Sequence, residues 1–146
     1  MAHDGTWKHY SVGLHNVGSY QASGIPWITG SHHLNPGTEH HIVFPRVTKS
    51  VTVRAYVTGT AIGNAAEPHV RAHFRSIYDG GNVSGGLHYV PFDSHEDQFT
   101  FNVKCNQIYI SAPATNAGEA SYHVIAELTQ INAESMFELT GSGITE

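Results

Sequence analysis

Histidine is the residue type here with the most chemistry to offer, at 12 of 146 positions. The doublets His32-His33 and His40-His41 and the spaced pair His69/His73 invite a metal-ligand reading. Strand geometry works against it. Adjacent residues of a strand point to opposite faces, so a doublet cannot easily close on one ion. His69 and His73 share a face but stand ~13 Å apart at ~3.3 Å per residue. A cupin-like oxygenase needs His-x-His, a nearby carboxylate and a distant third histidine. His32, His33 and Glu39 imitate that set only loosely. The histidines are therefore expected on the solvent side, with no metal and no cofactor.

The other routes to catalysis are also thin. No Gly-x-Ser-x-Gly elbow is present, and Ser84 lies in a loop sequence rather than between a strand and a helix. The lone Cys105 sits in an apolar stretch, which predicts a small buried hydrophobe rather than an activated thiolate. Gly141-Ser142-Gly143 leads into no helix, so it cannot cradle phosphate. Asp93, Glu96 and Asp97 lack the glycine and spacing of a calcium loop. The expectation is a protein that binds or builds and is not an enzyme.

Charge patterning points the same way. Charged residues make up 13% of the chain, against ~25% in ordinary domains. A sequence pI near 6.1 does not suit nucleic acid. Arg46, Lys49, Arg54, Arg71 and Arg75 cluster in the middle, whereas after Lys104 only acids follow: Glu119, Glu127, Glu134, Glu138 and Glu146. This separation predicts complementary surfaces on neighbouring copies. The strongest candidate surface is a polar face carrying Arg54, His69, Arg71, His73 and Arg75, provided their two strands are neighbours.

The elements that must position these residues are strands. Val51, Val53, Ala55 and Val57 alternate with Thr52, Arg54 and Tyr56; Val70, Ala72 and Phe74 alternate with His69, Arg71, His73 and Arg75. Further strands are predicted at Thr38–Phe44, Leu87–Phe92, Phe99–Val103, Ile108–Ile110 and Tyr122–Leu128, separated by Gly/Pro/Asn loops such as Gly59–Pro68 and Asp79-Gly80-Gly81-Asn82. Val51, Val53, Val70, Phe74, Phe99, Phe101, Tyr122, Val124 and Leu128 are placed inward. This is an all-β pattern, an antiparallel β-sandwich of jelly-roll type, with an open barrel as the main competitor. No 3.6-residue period persists; Ala133–Phe137 is at most a short turn of helix.

Glycines at 13, 18, 24 and 30 predict an extended N-terminal arm over residues 1–30, ahead of a sandwich at 31–130 and a tail at 131–146. Tyr20 and Trp27 in the arm and Met136 and Phe137 in the tail are candidates for docking on a neighbour or on the protein's own sandwich. The start lacks the apolar stretch of a secretion signal, and no apolar run approaches the ~20 residues that span a bilayer. Synthesis in the cytoplasm without membrane insertion is expected.

Two segments carry a resemblance. Val12-Gly13-Leu14-His15-Asn16-Val17-Gly18-Ser19-Tyr20-Gln21-Ala22-Ser23-Gly24, with Pro26 and Ile28-Thr29-Gly30, resembles the start of small virion structural proteins of tailed phages, especially marine and cyanobacterial ones. Ala126-Glu127-Leu128-Thr129 through Met136-Phe137 and Leu139-Thr140-Gly141-Ser142-Gly143 is similar to their ends. The resemblance implies a virion component, a capsid decoration or cement protein or else a tail or neck part. Its partners would be copies of itself, with a trimer expected, and the major capsid protein or other virion proteins. The rival is a lectin-like carbohydrate-binding module using Trp7, Trp27, Tyr56, Tyr78 and Tyr89.

Overall fold

The computed structural model describes residues 12–56, 68–79, 82–140 and 143–144. Two long alternating strands organise it. In β3 (Arg46–Tyr56) Val51, Val53 and Ala55 are fully buried while Ser50, Thr52, Arg54 and Tyr56 face outward. In β8 (Ala120–Asn132) Tyr122, Val124, Ala126 and Leu128 are buried against the same interior. β-branched residues in strict alternation suit a pleated sheet covered on one side.

β1 (Ile25–Leu34) and β6 (Gln98–Phe101) complete the first sheet in the order β1-β8-β3-β6. The second sheet joins β2 (Glu39–Val43), β4 (Val70–His73), β5 (Val90–Phe92) and β7 (Gln107–Ser111) in the order β2-β7-β4-β5. Every pairing is antiparallel. β9 (Leu139–Thr140) and β10 (Gly143–Ile144) form a separate two-stranded ribbon. Among the described residues helix is confined to short turns, α1 (Gly18–Gln21), α2 (Asn82–Gly85) and a 3₁₀ turn at Ala133–Ser135. The expected β-sandwich is what the chain forms.

One core fills the space between the sheets. Leu34, Phe44, Phe92, Ile108 and Ile110 are wholly or almost wholly buried in it, each side chain contributing roughly 1.5–3 kcal/mol. A satellite cluster of Val47, Ile131 and Met136 closes one end, with Leu14, Tyr20, Phe137 and Leu139 packed on it. Pro45 stops β2 because it brings no N–H to a ladder. The turn before β6 closes through Glu96 in the left-handed region, φ 60°.

The expected boundaries shift at both ends. Residues 25–30, read as arm, are the first half of β1, and β8 runs on to Asn132. The glycines that were read as part of an extended arm are required by the pairing of β1 with β8. A Cβ on Gly30 would lie 2.7 Å from the Tyr122 carbonyl oxygen and 2.8 Å from the His123 ring, and one on Gly24 would lie 2.5 Å from Glu127 Cβ. Pro26 is tolerated because β1 is an edge strand. Phe99, expected inward, is 46% exposed at the edge strand β6, and Phe74 is half-buried just beyond β4. Leu87 and His88 precede β5, since Leu87 has φ 58° and cannot continue a strand. Trp7 and the rest of the first eleven residues, most of the loop Gly59–Pro68, Gly80-Gly81 of the turn, and Gly141-Ser142 lie outside the described residues.

Candidate functional site

The polar face expected from Arg54, His69, Arg71, His73 and Arg75 does not form. Arg54 belongs to β3 of the first sheet, and the other four lie on or beside β4 of the second. Arg54 faces outward, with Nη2 3.3 Å from Glu96 Oε1 and the guanidinium 5.2 Å from the centre of the Tyr56 ring. His69 and His73 do point to the outer face of their sheet, opposite the inward Val70 and Ala72. They are nonetheless buried, at 7% and 1% exposure, against the expectation of solvated histidines.

The burial of His73 has a local cause. Cross-strand register sets His41 beside Tyr109 and Tyr109 beside His73. The three rings stack nearly parallel, at centroid spacings of 4.4 and 5.9 Å. The next rung is Glu39, Ser111 and Arg71. The Glu39 carboxylate accepts from the Ser76 hydroxyl and the Ile77 N–H, both at 2.7 Å, and so ties the segment after β4 across this end of the sheet. His73 Nδ1 lies 2.6 Å from the Arg75 carbonyl oxygen, which can only accept, so Nδ1 carries the proton. Nε2 then accepts from the Ser111 hydroxyl at 2.8 Å. Burial pushes the His73 pKa down, with Arg71 adding to it and the Arg75 carbonyl and Glu39 opposing it.

A serine hydroxyl on a histidine nitrogen is the pairing a hydrolase uses to make a nucleophile. Here Ser111 and the His73 side chain have no exposed surface, so no substrate reaches them. Their role is to hold the sheet and the 74–79 segment together. Tyr109 and Ser111 were not singled out from sequence, and Glu39 only as the carboxylate of a loose cupin-like set; alternation does set Glu39 and His41 on one face of β2.

Arg71 borders a surface pocket of about 460 Å³ with Pro68, Ser84, Leu87, Tyr89 and Thr115. Its guanidinium stands 5.0 Å from the Tyr89 ring centre and donates to Ser84 Oγ. Of the aromatics named for sugar stacking, Trp27 is packed edge-on against Phe44 inside the sandwich, and Tyr56 and Tyr89 carry arginines on their faces. Tyr78 is the open one, at 70% exposure. The docking candidates Tyr20, Met136 and Phe137 likewise turn onto the protein's own satellite cluster, where the Tyr20 hydroxyl donates to the Leu14 carbonyl.

The outer face of the first sheet has a different character. A row of rings crosses it, His32, His123, Tyr56 and His95, at centroid spacings of 6.4, 5.3 and 6.1 Å. Beside the row stand Ile28 and Ile125, 66% and 43% exposed. The His40-His41 doublet splits as strand geometry requires: His40 shares a 2.8 Å hydrogen bond with Tyr122 between the sheets, while His41 stacks outside on Tyr109. His32 and His33 are both exposed, at a register irregularity of β1. Burial pushes the Tyr122 phenol up to about 12.

Among the described residues no three His, Cys, Asp or Glu side chains lie close enough together to hold a metal ion. Cys105 is fully buried as expected, its thiol pushed up to about 11 by burial, 3.3 Å from Thr48 Oγ1. Comparison of the chain with models of known protein families, with curated proteins and with solved structures finds no match.

Proposed function

We propose that this chain is a non-enzymatic structural protein of a bacteriophage particle, a decoration or cement protein that coats the capsid shell and associates with copies of itself. The observation that carries the reading is the strand order. Strands pair 1 with 8, 2 with 7, 3 with 6 and 4 with 5, and the pairs are joined within each sheet, through 8–3 in one and 7–4 in the other. One antiparallel ribbon wrapped around a core would produce that order, which supports a jelly roll, a frame shared by capsid proteins, lectins and cupins.

Three features favour the shell protein among those uses. The terminal segments resemble virion proteins of tailed phages. The Ser–His pair and the thiol are sealed inside, which fits a building block better than a cupin. Charges are sparse and hydroxyls abundant, which suits surfaces that pack on their own kind. A tail or neck position is the nearer variant of the same reading. A lectin is favoured by one feature, the pocket at Arg71 and Tyr89.

Quantitative mass spectrometry of purified particles tests the proposal. Hundreds of copies per particle are expected for a shell protein. A dozen or fewer would move it to the tail or neck, and absence from the particle would overturn it. Glycan binding by the isolated chain, lost on Arg71→Ala, would establish the lectin instead.

A further inference from the structure

We infer that a second copy of this chain packs on the outer face of the β1-β8-β3-β6 sheet, related by a two-fold axis that runs across the strands. The axis follows the row Ile28, Ile125, Thr52 and Thr100, which the register sets side by side. This deepens the self-association proposed above by naming its surface and symmetry. It is tested on the isolated chain, so its failure leaves the virion reading standing, and absence from particles leaves this one standing.

The row is built to be covered. Ile28 and Ile125 are the large apolar side chains exposed on it. Thr52 and Thr100 share a 2.9 Å hydrogen bond, so each hydroxyl keeps one partner when water is removed and a single O–H donor is left to be met. The face is low at β1 itself, because His123 lies against Gly30 and Glu127 against Gly24, where any Cβ would collide. The rings of His32, His123, Tyr56 and His95 rise to one side of the apolar row and would border the contact.

Charge selects the partner. On one side of the apolar row the register places Gly30, His123, Arg54 and Gln98, where Arg54 already pairs with Glu96 of its own copy at 3.3 Å and would share its charge with a second carboxylate. On the other it places Pro26, Glu127 and Ser50, with the Ser50 hydroxyl donating to the Glu127 carboxylate at 2.9 Å. Within one copy Glu127 and His123 stand ~13 Å apart along β8 and cannot meet. A two-fold contact requires a patch complementary to itself. Rotation about the apolar row reverses the strand direction, setting each Glu127 over the His123–Arg54 row of the other copy and isoleucine on isoleucine. An axis parallel to the strands would set Glu127 on Glu127 and Arg54's row on itself. The pattern therefore matches a two-fold pair rather than the trimer expected from sequence.

The patch spans four strands at ~4.8 Å and seven residues at ~3.3 Å, roughly 440 Å² per copy. That is at the small end for specific interfaces, so the pair is weak in dilute solution and gains when many copies are held on one assembly.

Sedimentation equilibrium of the full chain over a range of concentrations is the test. The expected result is a mass rising from one chain to two. Ile125→Glu and Ile28→Glu, both at exposed positions and checked for an unchanged circular dichroism spectrum, should hold the mass at one chain. Arg54→Glu and Glu127→Arg should each weaken pairing about tenfold or more, and an equimolar mixture of the two should regain it, because reversed charges then meet across the axis. A wild-type mass of one chain at every concentration, a mass of three, pairing untouched by both isoleucine variants, or a mixture no tighter than its components would each overturn the inference.

Discussion

The two outer faces of this sandwich use the same residue types and end in opposite states. On the β2-β7-β4-β5 sheet, histidine and tyrosine stack into His41–Tyr109–His73, and the chain then covers its own work by tying Ser76 and Ile77 to Glu39. On the β1-β8-β3-β6 sheet the comparable row His32–His123–Tyr56–His95 stays at the surface beside two exposed isoleucines. A buried polar group must find every partner inside the molecule, whereas a surface one leaves them to solvent or to another chain. The first face is thus read as stability and the second as recognition.

Breaking the covered face should cost most. His73→Ala removes the last ring of the stack, leaves a cavity and strips Ser111 of its acceptor, a loss of about 3 kcal/mol or more in chemical denaturation. The same residue gives the face a pH dependence. Its folded-state pKa is lowered from the ordinary ~6.5, so below that value the unfolded chain binds the proton first and stability falls. The slope is at most about 1.4 kcal/mol per pH unit, and it ends once the folded protein also takes the proton. The stability gap between wild type and His73→Ala should therefore narrow on acidification below about pH 6.5; a constant gap would mean His73 is not the group responsible. The difference between the two proteins cancels the other histidines.

A smaller effect sharpens the contrast. Glu39→Gln keeps the size of the side chain but halves its accepting atoms and removes the charge opposite His73 and the Ile77 N–H. The expected cost is about 1–2 kcal/mol, concentrated in the segment it anchors. Hydrogen exchange should show the Ile77 amide opening well before the amides of β3 and β8. Uniform acceleration across both sheets would instead place Glu39 in the global core.

Much of this architecture was legible in residue order, and the failures share one cause. β3 and β8 were visible because alternation over seven or more residues has one burial solution. β1 was not, since Gly24, Pro26 and Gly30 read locally as an arm. What makes Pro26 and Gly30 strand residues, with Gly24 just ahead of them, is β8 pairing alongside, where Glu127 and His123 lean across the glycines. The outward direction of His69 and His73 was likewise readable, but the burial of His73 goes with Glu39 holding Ser76 and Ile77 across that end of the sheet. The supposed basic face failed because β3 and β4, consecutive in the chain, cross from one sheet to the other. Local pattern gives direction; which element lies beyond it is decided by topology.

The smallest stability effect carries the most weight for the comparison. Ile28 is 66% exposed, so Ile28→Thr removes little buried area and should change the stability of the dilute chain by no more than about 0.5 kcal/mol. An equally conservative change inside the covered face, Ser111→Val, leaves His73 Nε2 without a donor and should cost about 1–3 kcal/mol. Thermal denaturation measured at low and at high protein concentration separates the two meanings of a surface. For wild type the midpoint should rise with concentration, because whatever binds the folded state stabilises it by mass action. For Ile28→Thr the midpoint should lose that rise while matching wild type at the dilute end, and for Ser111→Val it should fall at both ends and keep the rise. If Ile28→Thr instead lowers the dilute midpoint as far as Ser111→Val does, the bare face is part of the fold's own stability and the distinction between the two sheets disappears.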